Sequence, residues 1–246
     1  MSFEQRRREL AYRARYLLNA YPAVYMPIAR ARHGGRPDYL VRRDTELVIE
    51  GAARSGNTFA VLAFASAQER PVRTAHHTHA PAQVLTAARW GIPTLVLVRP
   101  PLDSALAHMA LRGVTAGAAL SAWIRFHRRI LPARDRFEVA SFAEVTGDFG
   151  AVVARVNARF GTSFGVFEHT PENEAAVFAA IERRNRELRA GRREPERDLI
   201  LARPTAERSA LKDRLREQLD APGLAGRRAE AAGLYGRFVG EPAPVR

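Results

Sequence analysis

The sequence predicts an α/β protein of three layers, with a central parallel sheet flanked by helices and extra helices at the C-terminal end. Three observations carry this. Apolar runs of strand length alternate with segments of helical period from residue 46 to residue 160. The run Pro93 to Val98 (PTLVLV) has no polar face, as a strand covered on both sides requires. A glycine-bounded turn from Gly51 to Gly56 joins the first apolar strand to the first core helix. A chain of 246 residues, 46% of them hydrophobic, has the material for one large core.

Residues 1 to 44 form a basic, aromatic N-terminal extension. Glu4 to Asn19 has helical period, with Leu10, Ala14, Leu17 and Leu18 on one side, and Pro22 is expected to end it. Such a helix either packs its apolar side on the domain or lies on an anionic membrane surface. The core follows, over residues 45 to 190. Strands are expected at Glu46–Gly51, Pro71–Ala75, Pro93–Val98 and Phe137–Ser141. Helices are expected at Thr58–Gln68, Pro81–Arg89, Leu102–Leu111, Ala116–Ile130, Phe142–Phe160 and Pro171–Arg189. Alternation of this kind builds parallel sheets, because each crossover needs a helix. Residues 191 to 246 read as a helical segment packing on the core, with a charged, proline-containing break at Gly191–Asp198 and helices at Thr205–Leu219 and Leu224–Val239.

The formal charge is +13, and Lys212 is the only lysine, so the cations are arginines. Such a balance attracts nucleotides, acidic lipids or nucleic acid. There is no cysteine, which excludes disulfides, thiolate nucleophiles and cysteine metal sites. Arg6-Arg7-Arg8 is followed by no apolar signal core, and no run approaches the roughly 18 apolar residues of a membrane span. The expected location is therefore cytoplasmic, with peripheral membrane contact through the basic N-terminal helix as the alternative to its packing on the domain.

Three segments carry the chemistry. The turn Gly51-Ala52-Ala53-Arg54-Ser55-Gly56-Asn57-Thr58 has the spacing of the phosphate-binding pattern G-x-x-x-x-G-K-[ST], with Asn57 in place of the lysine. Backbone N–H groups and the positive helix end suit a phosphate there, and Arg54 adds a cation. The missing lysine argues against ordinary hydrolysis of a nucleoside triphosphate. His76, His77 and His79 follow the second strand, at the same sheet edge, where ligands of open α/β sheets bind; a histidine there can take a proton from a hydroxyl. Arg99 ends the PTLVLV strand, where a buried guanidinium needs an anion; a second phosphate or Asp103 fits that need.

In this order the three segments resemble the sulfotransferase family, which uses the donor 3′-phosphoadenosine 5′-phosphosulfate (PAPS). Ala53-Arg54-Ser55-Gly56-Asn57-Thr58 is similar to that family's P-[KR]-S-G-T-[TS] loop, which holds the 5′-phosphosulfate. His77-Thr78-His79-Ala80-Pro81 is similar to K-[TS]-H-x-P, whose histidine is the base. Val98-Arg99-Pro100-Pro101 is similar to the strand end R-[ND]-P, but the serine expected eight residues after the arginine is Ala107. Arg134–Val145 and Gly161–Phe164 match later, weaker features, so the resemblance covers residues 45 to 190 of a P-loop-type fold.

The resemblance implies sulfuryl transfer from PAPS to an acceptor hydroxyl or amine on a carbohydrate, glycolipid or small metabolite. It implies His79 and Arg54 as catalytic residues, with Ala53, Arg54, Ser55, Gly56, Asn57, Thr58 and Arg99 on the donor. Ser104 or His108 is expected to replace the missing serine, and Arg203, Arg208 or Lys212 to stand in for a C-terminal R-K-G that the chain lacks. Neither a metal nor a nucleic-acid partner is expected. Thr115–Ile130, with Trp123, Phe126 and His127, and the helices after Pro171 are expected to shape the acceptor pocket. Two other readings share some features. A P-loop kinase shares the turn but wants the lysine and a magnesium-holding acid, for which only Asp103 offers itself. A non-enzymatic basic protein on nucleic acid or an anionic membrane accounts for the charge but not for three motifs on one edge.

Overall fold

The computed structural model describes residues 16–36, 38–190 and 214–240, with the isolated positions 7, 12 and 14. Four parallel strands form the sheet: β1 (Leu47–Gly51), β2 (Thr74–His76), β3 (Thr94–Val98) and β4 (Glu138–Ser141), in the order β2-β1-β3-β4. The register pairs Leu47 with Thr74, Ile49 with Leu95, and Leu97 with Ala140. Every residue of β1 and β3 is buried, because these two central strands have helices on both faces.

Alternation along the strands divides the core. Leu47, Ile49, Leu95 and Leu97 pack with Phe59 and Phe64 of α2 (Asn57–Ser66), with Phe149 and Val152 of α7 (Phe149–Phe160), and with Val177 and Ile181 of α8 (Pro171–Ala190). On the other face Val96 and Val98 meet Val84 of α3 (Pro81–Trp90), Trp123 and Phe126 of α5 (Ala116–Ile130), and Phe238 of α9 (Ala225–Val239). Val48 and Ala75 continue that face against α3 and Met26 of α1 (Pro22–His33). The helix α4 (Pro101–Arg112) packs beside α5 through Leu106, Met109 and Leu120. Each buried large side chain contributes about 1.5–3 kcal/mol, so the two faces together dominate stability.

Two expectations change and one is extended. The helical residues 16–18 stop before Pro22, as expected, and Pro22 also begins a helix: it stands in the first turn of α1, where its missing N–H costs nothing, while Pro27 lies inside. Phe142–Phe160 is two helices, α6 (Phe142–Gly147) and α7, because Asp148 leaves helical geometry and its carboxylate accepts from Ala151 N at 3.0 Å. Ser141 and Glu144 cap α6 reciprocally. The second strand begins at Thr74 and runs to His76, since the ladder with β1 starts at Leu47 and reaches Ile49. The expected helix Glu4–Asn19 and the segments Gly191–Asp198 and Thr205–Leu219 lie wholly or partly outside the described residues. No helix among the described residues is long and apolar enough to cross a membrane.

Candidate functional site

The turn after β1 has the geometry its glycines permit. Gly51 packs so tightly on β3 that a methyl there would collide with the Leu97 carbonyl oxygen. Gly56 caps α2 at φ 96°, and a Cβ there would also press on the Phe142 ring. Arg54 adopts φ 72°, a left-handed conformation that is costly for an arginine. Left-handed residues within such a turn turn successive N–H groups toward one concavity. No side chain caps the N-terminus of α2, so its positive end faces the same place.

Buried polar atoms in this turn lack partners. Ser55 is fully buried and its Oγ has none; Asn57 is 3% exposed, and neither its Oδ1 nor its Nδ2 has one. Burying such a group without a hydrogen bond costs about 1–3 kcal/mol. Arg99 adds a third: its Nε is buried without a partner, although its Nη1 donates to the Arg54 carbonyl at 3.2 Å and its guanidinium lies 4.2 Å above the Phe142 ring. Burial pushes the Arg99 guanidinium below its ordinary pKa, and Asp103 opposes that shift. The backbone of Arg99 is held by Trp123, whose Nε1 donates to its carbonyl at 3.2 Å. Ser104 is buried and donates Oγ–H to the Ala53 carbonyl at 2.9 Å, so that proton braces the turn from α4. Arg99, Ser104 and the turn therefore come together.

The histidine segment reaches the turn from β2, and the residue that places it was not singled out from the sequence. Glu50, the last apolar-run position before Gly51, is fully buried. Its Oε1 accepts from Thr78 N (2.7 Å), Thr78 Oγ1 (2.8 Å) and Gln83 Nε2 (3.1 Å). Its Oε2 accepts from His79 N (3.1 Å) and Gly51 N (3.4 Å). Burial pushes the carboxyl up to about 7, against the pull of these hydrogen bonds. The signal for Glu50 in the sequence was a single carboxylate inside the run LVIEG.

His77 and His79 both have positive φ, 64° and 51°. His79 Nδ1 lies 3.0 Å from the Gly51 carbonyl oxygen. A carbonyl only accepts, so Nδ1 carries the proton and Nε2 carries the lone pair, the tautomer a base needs. His77 Nε2 lies 3.1 Å from Thr58 Oγ1, and His77 Nδ1 lies 2.7 Å from His76 Nδ1. Burial first, then neighbouring cations, lowers His76 to about 4 and His77 well below its usual range. His77 is thus neutral at pH 7, and supplies no cation where the family pattern has lysine.

The other expected residues fall elsewhere. Trp123, Phe126 and His127 are buried in the core: His127 is fully buried, stacks on Trp123 at 3.7 Å, and shares Nδ1–H with the Trp123 carbonyl at 2.8 Å. They fill the face of α5 turned to the sheet, because that helix packs beside α4 and α9. His108 is buried on α4, with Nδ1 3.3 Å from the Tyr12 hydroxyl. Arg203, Arg208 and Lys212 lie outside the described residues. Among the described residues no three histidine, aspartate or glutamate side chains are placed to hold a metal ion.

No family model matches the chain, and no curated protein matches it in sequence. Among solved structures, the fold is similar to mouse sulfotransferase SULT7A1 complexed with PAP. That likeness has a TM-score of 0.40 and 14% identity, and covers 80% of this chain and 91% of the other.

Proposed function

We propose that the chain transfers a sulfuryl group from PAPS to an acceptor hydroxyl or amine. The observation that supports this best is the set of buried polar groups without partners, Ser55 Oγ, the Asn57 amide and Arg99 Nε, on one glycine turn and the strand end beside it. The Ser55 O–H, the Asn57 Nδ2–H and the Arg99 Nε–H are donors suited to phosphate oxygens, and together they fit a nucleotide with two separate phosphates. The amides of residues 53–58 and Arg54 would hold the 5′-phosphate, and Arg99 the 3′-phosphate. Ser104 would keep the turn in shape from behind.

The chemistry asked of the protein is positioning and one proton transfer. The acceptor O–H gives its proton to His79 Nε2 while its oxygen bonds to sulfur. The bond from sulfur to the 5′-phosphate oxygen breaks, and the negative charge left on that oxygen is met by the turn amides and Arg54. Glu50 orients His79 through its backbone N–H. Asn57 in the lysine position, and Asp103 exposed in the first turn of α4, do not favour a kinase.

The test replaces His79 with Asn, which tolerates the left-handed backbone that alanine would strain. His79→Asn is expected to lower turnover about 10²–10⁴-fold and to leave binding of 3′,5′-bisphosphoadenosine unchanged by calorimetry. Full turnover in that variant removes His79 from the mechanism.

A further inference from the structure

The proposed transfer leaves the acceptor unspecified, and a cavity beside the site bears on it. It measures about 760 Å³ and runs along the outer side of β2, between α2, the residues Gly35, Arg36, Asp38 and Tyr39, and Arg184 of α8. That volume suits a small organic ligand. Its inner end is formed by His76 and His77. His77 reaches Thr58, the last residue of the glycine turn, at 3.1 Å, and its ring lies 6.1 Å from that of His79. The cavity therefore ends one histidine ring away from the proposed base.

Its walls differ in character. Val61, Leu62 and Ala65 of α2 make an apolar side. Arg36, which follows α1, and Arg184 of α8 add two guanidiniums to the lining. Both depress the histidines electrostatically, so both fields reach the inner end. Arg36 lies 4.9 Å over the Tyr39 ring. Among the described residues neither guanidinium is in an ion pair with a carboxylate, whereas Arg70, which also lines the cavity, is engaged by Glu46 at 2.7 Å. Asp38 and Glu69 are the acids on the lining. The edge of β2 is already closed to another strand at one point, since His76 N donates to the Asp38 carbonyl at 3.2 Å. A discrete ligand fits this arrangement better than an added strand does.

We infer that this cavity takes the acceptor, and that the acceptor is an amphipathic anion: an apolar body against α2, an acidic group on Arg36 and Arg184, and a hydroxyl turned to the His77–His79 end. The word acceptor rests on the sulfuryl-transfer reading; the anion preference does not.

Fluorescence titration of the full chain with 6-hydroxy-2-naphthoate and with neutral 2-naphthol separates the two ideas. The carboxylate is expected to bind about tenfold more tightly than the neutral probe, as one charge-assisted contact provides. Arg36→Gln/Arg184→Gln is expected to erase that difference and leave 2-naphthol binding unchanged. The single variant Arg184→Gln, at a partly exposed position, should show an intermediate loss. Equal binding of the two probes, or naphthoate binding untouched by the double variant, overturns the inference. Calorimetry with 3′,5′-bisphosphoadenosine on the same samples reports on the donor. No donor binding beside selective naphthoate binding sinks the transfer reading and supports the anion cavity.

Discussion

Glu50→Gln tests how the protein places its histidine segment. The carboxyl is fully buried and five donors point at it. A glutamine carbonyl replaces Oε1 and keeps Thr78 and Gln83. Its NH2 then faces the N–H of His79, donor against donor, at a cost of about 1–3 kcal/mol. Against this stands ionisation. The folded-state pKa of Glu50 is raised from 4.5 to about 7. A raised pKa means the native state holds the proton more tightly, so this stabilising contribution is complete below about pH 4.5 and is lost as pH rises through 7. A displacement of about 2.5 units corresponds to about 3 kcal/mol. The variant lacks that titration. Urea unfolding at pH 5, 6, 7 and 8 should show Glu50→Gln less stable than the parent at pH 5, with the gap closing or reversing by pH 8. Subtracting the two curves cancels the histidine contributions they share. A gap that stays constant or widens with pH refutes the buried, proton-holding carboxyl.

Three further outcomes follow from the site. Asn57→Leu removes a buried amide without partners, so it should raise unfolding stability by about 1–3 kcal/mol while weakening 3′,5′-bisphosphoadenosine binding in calorimetry. Arg99→Met should weaken that ligand about 10–100-fold and leave adenosine 5′-phosphosulfate, which lacks the 3′-phosphate, nearly unaffected. His127→Phe should blunt acid unfolding: burial lowers His127 to about 3, so its contribution is present above about pH 6.5 and is lost as pH falls toward 3. A stability–pH curve for the variant that matches the parent below pH 6 removes that assignment.

The parts legible in the sequence were those set by local pattern. PTLVLV could only be a doubly covered strand, and Gly51 and Gly56 stand where a strand must turn into a helix against close neighbours. The placement of Arg99 and the histidines at one edge followed from strand ends alone. The parts that were not legible depend on tertiary wrapping. Glu50 reads as a polar strand end until the β2–α3 connection brings Thr78, His79 and Gln83 around it. His127 reads as a pocket residue until α9 covers it with Phe238, whose ring lies 5.2 Å away. Pro22 reads as the stop of the helix before it, and only the packing of Met26 on Val48 and Ala75 shows that it also stands in the first turn of the next. The break at Asp148 was signalled by Gly147-Asp148, a helix end beside a capping residue, within a pattern whose apolar period continues through it.

Calorimetric titration of the full chain with 3′,5′-bisphosphoadenosine at high salt tests the central claim most directly. The account predicts binding of one nucleotide per chain that withstands salt and is weakened by Arg99→Met. Absence of heat, or affinity that disappears with salt and ignores that substitution, contradicts it.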